Sequence, residues 1–203
     1  MAHLDPLSPE EVADDIRERF DHYRKTRGFT PNSIMTMARR PNIVRAFMQL
    51  NQAVLYEGTV DEELKMLVSL IASQVAGCRY CQAHMANLSK IYRASENKIA
   101  RVWDYESSDL FTPAERAALR LAYHAAMAPA EATREHFDEA AKYFDEGQIV
   151  EIVASVALFG FLNRWNDTMA TDIEDLPASV AEATLGASFS WERGKHAGTA
   201  GGS

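Results

Sequence analysis

The sequence predicts an all-α protein packed as a helical bundle, and three observations predict it. Ala, Leu and Glu are plentiful while glycine and proline are sparse through residue 193, a composition that favours helices. Leu64, Leu67, Val68, Ile71 and Val75 recur at the spacing of one helix face. Start signals recur as well: Ser8-Pro9-Glu10-Glu11 and Thr112-Pro113-Ala114-Glu115 each set a capping hydroxyl before proline and acid. No segment reads as a strand.

In chain order, the first helix is expected from Ser8 to about Thr26, closed by Gly28. A short one follows Thr30-Pro31. Pro41 opens a third that carries Ile43, Val44, Phe47, Met48 and Leu50 towards Leu55, with Gly58 behind it. The fourth begins near Val60-Asp61. Gly77 suits the left-handed residue that follows a helix end, so the next helix starts around Cys78 and runs to about Lys90. Further helices are expected over Glu96 to Tyr105, from Thr112 to about Met127, over residues 131–143, and from Glu146 to Met169; Pro177 precedes a last short one. Eight to ten helices form one domain over 1–192, with halves at about 40–105 and 110–170. The end, 193–203, lacks apolar anchors and reads as a loose tail.

The totals narrow the function. With 47% hydrophobic and 25% charged residues, a packed core is expected. A net charge of −8 with no basic cluster argues against nucleic acid and anionic membranes as partners. No signal-peptide pattern and no apolar run long enough to span a bilayer stand out, so a cytoplasmic protein is expected.

The chemistry concentrates in AGCRYCQAHMANL, residues 76–88, which holds both cysteines of the chain. Two cysteines at i and i+3 lie roughly 60° apart around a helix. They can close a small disulfide ring with little backbone movement. A helix N-terminus favours the thiolate, which is the reactive form. One sulfur attacks an oxidant, the other condenses with the sulfenic acid, and an external dithiol resets the pair. His84, three residues after Cys81, can move the proton. Zinc binding or inert buried thiols are the competing readings; a single CxxC supplies only part of a closed tetrahedral set.

A second pattern is internal. Shifted by 85 residues, Leu67-Val68 meets Ile152-Val153, Ile71-Ala72 meets Val156-Ala157, and Cys78-Arg79-Tyr80-Cys81 meets Asn163-Arg164-Trp165-Asn166. Either two apolar helices align by chance, or a degenerate duplication left helix pairs about a pseudo-two-fold axis, with thiols only in the first half.

LKMLVSLIASQVAGC followed by CxYCxxH resembles the carboxymuconolactone decarboxylase/AhpD-like superfamily, in particular its peroxidase-related branch. LFTPAERAALRLA and IVEIVASVALFGFLNRWND extend the likeness. The resemblance implies an AhpD-like all-α homo-oligomer and a thiol-dependent alkylhydroperoxidase activity without cofactor or metal. It implies Cys81 as the peroxidatic thiol and Cys78 as the resolving one. The substrate would be a small hydroperoxide, and the reductant a lipoylated or thioredoxin-like protein. A carboxymuconolactone decarboxylase-like lyase and a non-catalytic redox-sensing oligomer are the alternatives.

The chain departs from the family at two positions. The family histidine four residues after the second cysteine is Met85 here, with His84 one residue earlier. The family glutamate twelve residues before the first cysteine is Met66. Glu63, one turn earlier, and Glu151, which meets Met66 under the 85-residue shift, are the candidate replacements. The plain readings are an exposed first-turn acid for Glu63 and a structural, paired acid for Glu151. Tyr80, between the cysteines, could wall the site or donate a hydrogen bond.

Overall fold

The structure, a computed structural model, describes residues 1–186 and 190–198. Ten α-helices account for it: α1 (Asp14–Arg27), α2 (Asn32–Met37), α3 (Pro41–Leu55), α4 (Glu62–Val75), α5 (Arg79–Ile91), α6 (Glu96–Ala100), α7 (Pro113–Ala126), α8 (Arg134–Ala140), α9 (Glu146–Met169) and α10 (Asp175–Thr184). Among the described residues there is no strand. The all-α fold expected from the sequence is the fold observed.

α4 is the axis of the molecule. It packs against α5, α7 and α9, and every residue from Leu64 to Ser73 is buried. An apolar face alone cannot satisfy such an environment, and the polar residues adapt. Ser69 and Ser73 turn their hydroxyls onto the carbonyls four residues back, each at 2.8 Å. Lys65 forms an ion pair with Glu151 of α9 at 2.8 Å. α5 lies beside α4, and α10 closes over α5.

The ends obey local chemistry. Thr112 and Glu115 make a reciprocal capping box at α7, and Asp145 and Gln148 make another at α9. Gly28 ends α1 at φ +83°. Gly58 has φ +93°, and a Cβ there would lie 2.4 Å from the Glu151 carboxylate, so the turn before α4 needs glycine twice over.

Several expectations require correction. The Ser8 signal produces only a 3₁₀ turn, Pro9–Glu11, because Val12 then turns extended and α1 starts afresh at Asp14. The segment 131–143 shrinks to α8, and the segment from Glu96 breaks after Ala100 into a 3₁₀ turn. Ile43 and Leu50 of α3 face outward. α9 is by length and hydropathy as apolar as a membrane span, which the sequence reading did not register; it packs on α3, α4, α5 and α7 as a core helix. The supposed tail does not begin at 193. Gly194–His196 form a 3₁₀ turn, His196 is buried, and its backbone carbonyl accepts the Ile173 N–H at 3.0 Å. The histidine and Trp191 supply the anchors that composition alone concealed. Residues 199–203 lie outside the described residues.

Candidate active site

The break between α4 and α5 builds the site. Gly77, at φ +73°, donates its N–H to Gln74 O, and Cys78 N–H reaches back to Ser73 O, which together terminate α4. Cys78 is at once the last residue of that motif and the N-cap of α5. Its Sγ accepts the Cys81 N–H at 3.5 Å, so one sulfur uses a first-turn donor that the helix itself leaves free. Cys81 follows one turn on. Both residues are buried free thiols.

Burial pushes the Cys81 thiol well above its usual range, and the Cys78 sulfur beside it pushes the same way. The Asn166 amide of α9 opposes them by donating to Cys81 Sγ at 3.5 Å. The expected helix-end activation is therefore outweighed at Cys81 by desolvation. A base must take its proton when it reacts.

His84 stands one turn further along α5, and its Nε2 bonds Glu174 Oε2 at 2.7 Å. Glu174 is the N-cap of α10, yet its carboxylate serves α5 instead of its own helix. Its other oxygen accepts the Tyr80 hydroxyl at 3.1 Å and the Asn32 N–H. The Tyr80 hydroxyl also accepts the Ser33 N–H at 3.2 Å. Its ring stacks on the His84 ring with centroids 4.2 Å apart. Burial first, and then the Glu174 charge, raise the Tyr80 pKa well above the phenol range, so it serves as a fixed donor. The imidazole is held from its edge by a carboxylate and from its face by a phenol.

Cys81 and His84 line a pocket of about 50 Å³ walled by Tyr23, Phe47, Tyr56 and Phe159. Arg27 enters the same lining; its guanidinium lies 4.5 Å over the Tyr23 ring and donates to the Tyr56 hydroxyl at 2.6 Å. The walls are aromatic and the reactive groups adjacent, the usual composition of a small-molecule site.

Beyond the thiols, on the C-terminal side, Cys78 Sγ, an Asp167 carboxylate oxygen and a His196 ring nitrogen lie within 4.8 Å of one another. Three donors are one short of a closed structural zinc site.

The structure thus brings together Cys78, Cys81, His84 and Tyr80. It does not bring Glu151 or Glu63 there. Glu151 accepts the N–H groups of Thr59 at 2.9 Å and Val60 at 3.0 Å, besides Lys65. Against the upward pull of desolvation, those bonds bring its pKa down to about 2. A carboxylate so held orders the turn before α4 and relays nothing. Glu63 pairs with Lys98, which also holds Glu115. Two residues went unnoticed in sequence. Glu174 reads there as an acid ahead of the last helix, and His196 sits in a glycine-rich end.

A family model for the carboxymuconolactone decarboxylase family matches residues 41–124. The apo structure of the debrominase Bmp8 is 34% identical, with a TM-score of 0.82 over 89% of this chain and 96% of that one. The chain belongs to the carboxymuconolactone decarboxylase family. A second Bmp8 structure, of a cysteine-to-alanine variant in complex with 2,3,4-tribromopyrrole, is 33% identical, with a TM-score of 0.83 over 91% and 98% of the two chains. Another family relative, an uncharacterized peroxidase-related protein of Ralstonia eutropha JMP134 described as an alkylhydroperoxidase AhpD core, is 25% identical. Its TM-score is 0.79, with 87% of this chain and 94% of that one covered.

Proposed function

We propose that the protein is a dithiol oxidoreductase that reduces a small hydroperoxide. The carrying observation is the placement of Cys81 and His84 in one pocket, with Cys78 on the same helical turn. The hydroperoxide binds in the pocket that Tyr23 and Phe159 help to wall. His84, oriented by Glu174 and Tyr80, takes the Cys81 proton. The thiolate attacks the terminal peroxide oxygen; the O–O bond breaks and the alkoxide leaves with that proton as an alcohol. Cys81 is then a sulfenic acid. Cys78 attacks its sulfur, the S–O bond breaks, and water leaves. An external dithiol, lipoylated or thioredoxin-like, returns both thiols.

A second reading shares every residue. The aromatic walls and the likeness to Bmp8 favour a brominated aromatic substrate. There Cys81 would take the bromine from carbon, the carbon would take a proton, and closure by Cys78 would release bromide. Exposed Ile43, Leu50, Val150 and Phe161 on α3 and α9 support assembly as a homo-oligomer, which belongs to the same proposal.

Thiol counting decides the reaction class. One equivalent of cumene hydroperoxide should remove two thiols per chain, and dithiothreitol should restore them. Cys81→Ser should be inert, and Cys78→Ser should leave a sulfenate that dimedone captures. Equal turnover by both variants would refute the assignment. Bromide release from 2,3,4-tribromopyrrole, with no thiol loss to hydroperoxide, would select the second reading.

A further inference from the structure

The proposed reaction gives His84 to Cys81 but leaves Cys78, a completely buried thiol, with no base of its own. The thiol must lose its proton to make the disulfide, because the thiolate is the form that attacks. What surrounds Cys78 answers the need. His196 arrives from the C-terminal 3₁₀ turn, 1% exposed. Its Nδ1 bonds the Thr171 carbonyl at 2.8 Å. A carbonyl only accepts, so Nδ1 carries the hydrogen and the neutral ring presents a bare lone pair at Nε2. That Nε2 has no hydrogen-bond partner, although it is fully buried. An orphaned acceptor in a protein interior calls for a reason. It lies 3.6 Å from Asp167 Oδ1, and a ring nitrogen of His196, an Asp167 carboxylate oxygen and Cys78 Sγ all lie within 4.8 Å of one another.

We propose that His196 is the general base for the resolving thiol, with Asp167 stabilising the imidazolium that forms. Thr171 O anchors Nδ1, so the unpartnered Nε2 is left to meet the nucleophile, with the Asp167 carboxylate beside that same nitrogen. The charged groups around the ring are Asp167 and, on Asp167, Lys195 at 2.8 Å; the Tyr80 ring lies 6.3 Å off. Burial lowers the basicity of His196, which keeps the resting imidazole neutral and able to accept.

The step balances. Cys78 S–H gives its proton to Nε2. The thiolate attacks the Cys81 sulfur, the S–S bond forms, and the bond from Cys81 to its leaving group breaks. The leaving group then departs with the proton released by the imidazolium. In the proposed peroxidase cycle that group is hydroxide and leaves as water, so the inference rests on that reading for its biological setting. The test does not.

Diamide converts neighbouring thiols to a disulfide whatever the natural substrate. Its azo nitrogen first forms an adduct with one sulfur, and the second sulfur then displaces the hydrazine. Reduced full-length protein is mixed with diamide, acid-quenched at intervals, and read by mass spectrometry. Wild type should close without accumulating adduct. His196→Asn keeps a donor for Thr171 O and removes the base. In that variant the Cys81 adduct should form at the wild-type rate and close at least about a hundredfold more slowly, the scale of a lost general base. Asp167→Asn should slow the same step by a smaller factor. Closure at the wild-type rate in His196→Asn overturns the proposal. Equal slowing of both steps together with a lowered melting temperature also overturns it, because it makes the residue structural. A parallel run with cumene hydroperoxide separates the two ideas: no loss of thiols in wild type and no sulfenate in Cys78→Ser end the peroxidase reading and leave the diamide result standing.

Discussion

Two four-residue turns, Cys78–Cys81 and Asn163–Asn166, match under the 85-residue shift and meet in space, where Asn166 donates to the Cys81 sulfur. Their settings differ. The first turn opens a new helix, and the second lies inside the unbroken α9. The residue before each explains it: Gly77 takes φ +73° and ends α4, while Leu162 continues its helix and packs into the core. The break frees the first-turn N–H groups of α5, one of which goes to Cys78 Sγ. In α9 the corresponding N–H groups are inside the helix ladder, and the asparagine side chains bridge instead. Asn163 Nδ2 reaches Ala72 O at 3.3 Å and Asn166 reaches Cys81. One turn holds the reactive atoms; its counterpart props them. The residue that occupies the helix break is what separates chemistry from scaffolding here.

That contrast can be broken at graded points. The largest effect is expected at Glu151, the counterpart of Met66. Glu151→Gln leaves the Lys65 ammonium buried without its carboxylate and should cost about 3 kcal/mol in chemical denaturation. The wild-type contribution has a pH signature. The carboxyl is held at about 2, below its ordinary 4.5, so the contribution is complete above about pH 4.5 and is lost as pH falls towards 2. The variant should lack that part of the acid limb; an unchanged limb would show that Glu151 does not hold the turn.

Next comes His84, whose counterpart is Met169. His84→Gln should lower the rate of Cys81 oxidation about a hundredfold, with Glu174→Gln moving it in the same direction by less. Stopped-flow fluorescence against hydroperoxide measures both, and an unimpaired Glu174→Gln would remove the carboxylate from the site.

Asn166→Leu tests the prop itself. A hydrogen bond to a forming thiolate is worth about 1.5 kcal/mol, so Cys81 should alkylate about tenfold more slowly while Cys78 is unaffected. Smallest is Gly77→Ala. A Cβ at Gly77 meets open space, and only the positive φ is strained, so about 1 kcal/mol of stability should be lost. A stabilised variant would mean that the break is not set by this residue.

Much of this was legible in sequence because it is local. The start of α4 near Asp61, the capping box at Thr112, the end at Gly77 and the span of α9 depend on residues within one turn of each other. The thiols and His84 were legible for the same reason. Glu151 misled because the shift that paired it with Met66 says nothing about where its carboxylate turns, and the buried Lys65 amine next door was the stronger attraction. Glu174 was missed because an acid at a helix start looks like a cap, whereas its oxygens cross to α5. His196 was missed because glycine-rich composition describes average disorder and not the docking of one ring.

By itself the sequence determined the helices, their breaks, and two thiols and an imidazole on consecutive turns of one helix, since spacing along a chain dictates spacing on a helix. Tertiary structure alone decided what those groups face: Glu174 lies 90 residues from His84, Asn166 lies 85 from Cys81, and His196 comes from the far end of the chain. No local preference brings such residues together. They meet because burying the apolar faces of α4, α5, α9 and α10 leaves one arrangement, and the polar groups carried on those helices must pair where that packing puts them.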